Sequence, residues 1–184
     1  MADEKEKKSE AVLPPPETRV IGLFQEIDES KTEEIIYGLK LYQIESNQDI
    51  EFYISSPGGV ASDMFAVYDF MRVVRETTPI ATYGLGKVMS AAVLLLAAGT
   101  KGKRKVAKNC RIMIHSIIAG SSGAINDLKN EMKEIQEIQS IYIDCLCQET
   151  KFTKKKLKEL FSQNVNIYLS AEEAVEYGIA DIVV

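Results

Sequence analysis

Three positions could together do chemistry. Ser90 stands at the head of the apolar run Ala91-Ala92-Val93-Leu94-Leu95-Leu96-Ala97-Ala98, His115 is the only histidine among 184 residues, and Gly58-Gly59 follows a strand-like stretch. A hydroxyl, an imidazole and a backbone N–H turned outward by glycine are a nucleophile, a base and an anion donor, the parts of acyl transfer through a serine. Placement favours Ser90 for the first role. The first N–H groups of a helix have no intrahelical partner and the macrodipole favours negative charge there, so an oxyanion formed at Ser90 would meet donors. Each position also has an ordinary use: a helix cap for Ser90, a strand-to-helix turn for Pro57-Gly58-Gly59, and a structural role for a lone histidine. The pattern is not the G-x-S-x-G elbow of α/β-hydrolases, because Val88 and Ala92 occupy the glycine positions.

The elements that must position these residues follow from periodicity. Residues 19–24 read as a short buried strand, and Asp28-Glu29-Ser30 offers caps for a helix over 31–45. Residues 49–55 alternate as the next strand and run into Ser56-Pro57-Gly58-Gly59. A helix over 62–74 follows, with Met64, Val67, Tyr68, Met71 and Val74 on one face. Residues 79–83 are predicted as a third strand, the glycines at 84 and 86 as a bend, and Ser90 as part of the first turn of the helix beyond. A basic turn over 99–104 leads to a strand over Arg111–Ile114 that delivers His115 at its end. Strand, turn and helix alternate, which predicts an α/β fold with a largely parallel sheet. Gly59 and Ser90 then lie past the carboxyl ends of strands, where open α/β sheets put their sites.

Beyond His115, residues 116–123 are apolar and then glycine-hinged, as in an extended arm. A long helix over 124–149 carries Ile125, Leu128, Met132, Ile135, Ile138 and Tyr142 at helical spacing, and is expected to project and bury that stripe against another copy. A basic helix over 154–161, a strand over 166–169, a capping-box helix start at Ser170 and a closing strand complete the chain.

Composition excludes several classes. The net charge is -5 and the pI about 5.1, and the basic runs at 101–105 and 154–156 read as solvated faces, so no nucleic-acid partner is expected. No stretch reaches the roughly 18 apolar residues of a membrane helix, and the start of the chain is charged rather than signal-like. A cytoplasmic protein without membrane association is expected. Cys110, Cys145 and Cys147 show no C-x-x-C spacing, so neither a disulfide framework nor a metal site is expected. Residues 19–184 suffice for one domain; residues 1–18, charge-rich and then Pro14-Pro15-Pro16, are expected to be a mobile tail.

Four stretches in order resemble the ClpP family, the proteolytic subunits of the ATP-dependent Clp protease. They are Ser55-Ser56-Pro57-Gly58-Gly59, Ser90 with Leu95-Leu96-Ala97-Ala98-Gly99-Thr100-Lys101-Gly102-Lys103-Arg104, Arg111-Ile112-Met113-Ile114-His115, and Leu169-Ser170-Ala171-Glu172-Glu173-Ala174-Val175-Glu176-Tyr177-Gly178. The resemblance runs from about Arg19 to the C-terminus. It implies the ClpP/crotonase-type fold and a serine endopeptidase working inside two stacked heptameric rings, homomeric or mixed with another ClpP-like subunit. It also implies a hexameric AAA+ unfoldase that feeds unfolded polypeptide to the chamber. The chain itself is expected to need no cofactor, ATP being used only by the unfoldase. By the same resemblance residues 116–150 form the handle that joins the rings, its first part lining substrate. The segment before the first strand stands where the family carries axial loops that meet the unfoldase.

Residue by residue, Ser90 matches the family nucleophile, His115 the general base, and Gly59 and Ala91 the two N–H donors of the oxyanion hole. The third triad position is usually an aspartate, and counting back from Leu169-Ser170 it is Asn166 here. A carboxylate accepts from the ring N–H and stabilises the imidazolium, whereas a neutral amide orients the ring without adding charge. The same exchange in a serine-protease triad lowers kcat about 10⁴-fold, so weak or partner-dependent activity is expected. A catalytically impaired structural or regulatory subunit of a mixed ring is the alternative. Glu159, Asp127 or a neighbouring subunit's carboxylate are the candidate substitutes.

Overall fold

The computed structural model describes residues 18–163 and 165–184. The tail expected over 1–18 lies outside the described residues except for Thr18. In order, the elements are β1 (Val20–Leu23), α1 (Glu29–Glu45), β2 (Ile50–Ser56), α2 (Ala61–Val74), β3 (Ile80–Met89), α3 (Ala91–Ala97), β4 (Lys105–Val106), β5 (Arg111–Ile114), α4 (Ile125–Glu149), α5 (Lys154–Ser162), β6 (Ile167–Leu169), α6 (Ala171–Glu176) and β7 (Ile182–Val183). The sheet runs β1-β2-β3-β4-β7, with β5 paired to the far end of β3 and β6 paired to β5. All of these pairings are parallel except β5 with β6. The alternation expected for a parallel α/β fold is therefore present.

Burial explains the layering. On one side of the sheet α1 buries Thr32, Ile35 and Leu39, and α2 buries Met64, Val67, Tyr68, Met71 and Val74, the face expected from spacing. α3 is buried along its whole length, as an all-round apolar helix must be. Three helix starts follow their sequence signals. Asp28 accepts from the Lys31 N–H, Thr153 from the Lys156 N–H, and Ser170 forms a reciprocal capping box with Glu173.

β3 differs from expectation. The glycines at 84 and 86 do not end the strand; it continues to Met89 through a bulge at Gly86, whose φ is 60°. The β2 register steps from Ile54↔Gly84 to Ser56↔Val88 across that bulge. The bulge lets one strand serve two sets of neighbours: Tyr83 and Gly84 pair with β4, and Lys87–Met89 with β5. A strand that changes partners in mid-course brings Ser90 and the end of β5 to one edge.

The basic turn also differs. Arg104 is buried, donating to Asp181 through Nε at 2.9 Å and Nη2 at 2.5 Å, and to the Glu149 carbonyl at 2.8 Å. The Glu149 carboxylate, likewise buried, accepts from both Arg75 Nη atoms, from Tyr68 Oη at 3.1 Å, and pairs with Lys101 at 3.3 Å. Burial pushes the Glu149 and Asp181 carboxyls up, but the hydrogen bonds and positive charges of Arg75 and Lys101 around Glu149, and of Arg104 around Asp181, together outweigh it and hold both below the usual carboxylate range. These pairs clamp the end of α4 to the body.

α4, roughly 37 Å long by helix rise, is docked only near its end, at Tyr142, Ile143, Cys145, Leu146 and Glu149. Ile125 and Met132 are 71% and 56% exposed, so the earlier turns stand away from the core with their apolar stripe uncovered.

Candidate active site

Ser90 is the single residue between β3 and α3. Its backbone has φ 55° and ψ −126°, the only positive φ outside glycine among the described residues. A residue with a Cβ held there costs on the order of 1–3 kcal/mol and persists only when its surroundings over-determine it. They do. The Ser90 N–H donates to the Met113 carbonyl of β5 at 2.8 Å, while its carbonyl accepts from the Val93 N–H at 3.0 Å and from Tyr142 Oη at 3.2 Å. An ordinary cap has extended backbone and a side-chain oxygen accepting from the first turn. Ser90 has neither, in contrast to Asp28, Thr153 and Ser170.

The glycine turn is fitted against this serine. Gly58 and Gly59 have φ of 100° and 156°. Ser56 Oγ donates to the Gln25 carbonyl at 2.6 Å and accepts from the Gly58 N–H at 3.1 Å, while the Ile27 N–H donates to the Gly58 carbonyl at 2.8 Å. A Cβ on Gly58 would stand 2.6 Å from Ser90 Cβ, and one on Gly59 would overlap the Ile27 backbone. Among the described residues no acceptor takes the N–H of Gly59 or of Ala91. Both residues line, with Ser90 and His115, a cavity of about 460 Å³ whose apolar walls include Ile27, Val60, Met64, Ile117, Ile118 and Tyr142.

β5 delivers His115 to that cavity. The antiparallel β5–β6 register, Ile112↔Leu169 to Ile114↔Ile167, sets His115 opposite Asn166 one step further on. His115 and Asn166 line a second hollow of about 300 Å³ with Val165. The geometry there is looser. Asn166 is exposed and makes no hydrogen bond to the ring, and no hydrogen bond joins the ring to Ser90 Oγ. Nδ1 of His115 is buried with no hydrogen-bond partner among the described residues. Neither Glu159 nor Asp127 lines either hollow.

One contributor was not legible beforehand. Tyr142 counted only as a member of the α4 stripe, and nothing in its spacing signals that its hydroxyl reaches the Ser90 carbonyl. Other nucleophiles are weak here. Burial pushes the Cys110 thiol up to about 11 and raises those of Cys145 and Cys147, so none offers a ready thiolate. Among the described residues no His, Cys, Asp and Glu cluster is arranged to hold a metal ion, and no helix is long and apolar enough to cross a membrane.

Taken together, fold and cavity define a class: an α/β protein that gathers, at the carboxyl ends of its parallel strands, a serine hydroxyl, an imidazole and two backbone N–H groups around one cavity. Comparison with known proteins narrows it. A sequence model of the family described as Clp protease matches residues 5–184. The chain is 38% identical over 167 residues to the ATP-dependent Clp protease proteolytic subunit 4 of Rhodococcus jostii, covering 90% of this chain and 84% of that one. It is 36% identical over 167 residues to proteolytic subunit 2 of Corynebacterium jeikeium (90% and 78% covered), and 35% identical over 170 residues to proteolytic subunit 3 of Nocardia farcinica (91% and 75% covered). The chain belongs to the Clp protease family, among its proteolytic subunits.

Proposed function

We propose that this protein is a serine endopeptidase subunit that cleaves unfolded polypeptides. Ser90 Oγ attacks the scissile carbonyl as His115 takes its proton through Nε2; the carbonyl electron pair moves to oxygen, where the N–H groups of Gly59 and Ala91 receive it. Collapse breaks the C–N bond, and the imidazolium hands the proton to the departing amine. Water, deprotonated by the neutral ring, then releases the acyl group from Ser90. Asn166, opposite the ring but exposed, orients it only once its side chain turns inward, and then without adding charge. The observation that carries this reading is the serine itself: a hydroxyl withheld from capping, on a backbone held out of the ordinary regions, beside two N–H groups with no acceptor among the described residues. We further propose that the chain works in the cytoplasm within stacked heptameric rings, homomeric or mixed, fed by a hexameric AAA+ unfoldase that alone consumes ATP.

The test is hydrolysis of fluorogenic peptides by the purified protein, alone and with a second ClpP-type subunit, with Ser90→Ala as control. Turnover lost in Ser90→Ala supports the reading; turnover equal in both sinks it. A second reading, a structural or regulatory subunit without chemistry of its own, is favoured by the exposed Asn166 and by His115 Nδ1, which has no partner among the described residues. It predicts that Ser90→Ala changes nothing, even in a mixed ring that turns over peptide.

A further inference from the structure

We propose that Tyr142 is a positioning residue of the oxyanion site, its hydroxyl fixing the peptide group whose N–H belongs to Ala91. The inference rests on the serine-peptidase reading above. The Ser90 carbonyl and the Ala91 N–H are two ends of one planar, trans peptide, so they point in opposite directions. Whatever holds the oxygen aims the N–H. Two donors hold it, Tyr142 Oη at 3.2 Å and the Val93 N–H at 3.0 Å, and no acceptor among the described residues takes the Ala91 N–H at the cavity that Ser90 lines. A peptide next to a strained residue is where rotation would relieve strain, because φ 55° and ψ −126° at Ser90 relax by turning this plane. The phenol hydroxyl opposes that turn. A donor on the carbonyl also polarises the amide and strengthens its N–H as a donor.

Tyr142 is itself held. It is 2% exposed, lies in the docked end of α4 and stacks on Phe161 of α5 at 6.2 Å and 5°. Burial raises its phenol above the ordinary value, so the hydroxyl remains a donor at any working pH. Two helical turns further along α4, Glu149 is fixed by Arg75 and Lys101. The nucleophile's backbone is thereby tied through one hydroxyl to the base of the projecting helix.

The experiment compares Tyr142→Phe with Phe161→Leu, which disturbs the same packing but keeps the hydroxyl. Peptide kcat and KM, the rate of fluorophosphonate labelling at Ser90 and the melting temperature are measured on the full chain, assembled as it purifies. Tyr142→Phe is expected to lower kcat and labelling about 10-fold, short of the 10²–10³ that follows loss of a donor outright, with KM and melting temperature unchanged. Phe161→Leu is expected to lower the melting temperature and leave kcat within about twofold. Unchanged kcat and labelling in Tyr142→Phe overturns the proposal, as does a kcat loss that follows melting temperature alike in both variants. A wild-type protein that neither labels nor turns over removes the peptidase reading itself; one that labels, with Tyr142→Phe equal to it, removes only the role of Tyr142.

Discussion

Ser90 and His115 open on one cavity but are held in different ways. Around Ser90 the N–H and carbonyl are both engaged, Gly58 leaves no room for a methyl group, and a tyrosine from a distant helix closes the cage. Around His115 the backbone register is set by β5 and β6, yet the ring's Nδ1 is buried without a partner among the described residues and the residue opposite, Asn166, is exposed. The Ser90 half is thus built from backbone geometry, which one folded chain completes. The imidazole half depends on a side-chain partner, and none of the described residues supplies one. On the peptidase reading proposed above, catalysis is limited by how well the ring is oriented and charged, while Ser90 and the Gly59 and Ala91 N–H groups stand ready.

That contrast can be broken at several points. Removing the ring in His115→Ala is expected to have the largest effect, a loss of at least about 10³-fold in peptide kcat; activity within tenfold of wild type would mean that the ring is a bystander. Gly58→Ala attacks the rigid half. A methyl group 2.6 Å from Ser90 Cβ must displace the serine, and about 10²-fold loss of kcat is expected from a shift of that size. Full activity would show that the Ser90 cage is not needed. Asn166→Asp sharpens the open half. A gain of about 10-fold is expected, well below the 10⁴ of a closed triad because the side chain must also move inward. No gain, with Ser90 still reactive, would place the deficit in ring geometry rather than charge.

The smallest effect concerns acid. The Glu149 and Asp181 carboxyls are held below their unfolded values near 4, so their contribution to stability is complete above about pH 5 and is lost as pH falls through the lower folded values. Urea midpoints are expected to stay flat from pH 7 to 5 and to fall below about 4, less steeply in Asp181→Asn. A midpoint that rises on acidification would contradict the clamp.

Much of this was legible in the chain. Apolar alternation in β2 and the helical spacing of α2 and α4 follow from burial, and so they appear in sequence. Gly58-Gly59, Ser90 and His115 stand out in sequence because paired glycines, a hydroxyl before an apolar helix and a lone imidazole are rare enough to count. The misses share a cause. Gly86 reads as a bend in sequence because a bulge within a strand and the end of a strand use the same residue; only the β5 pairing tells them apart. Lys105–Val106 is too short for any period to register. Arg104 looked solvated because its partners, Asp181 and Glu149, are 77 and 45 residues away. Tyr142 lies 52 residues from Ser90, and a hydroxyl at the end of an apolar stripe reads as packing until its acceptor is placed.

The most direct measurement is fluorophosphonate labelling followed by peptide mapping of the modified residue. Stoichiometric adduct on Ser90, abolished in Ser90→Ala and slowed in His115→Ala, is the predicted result. An unmodified Ser90 under conditions where a ClpP-type partner subunit in the same tube is labelled would contradict the account.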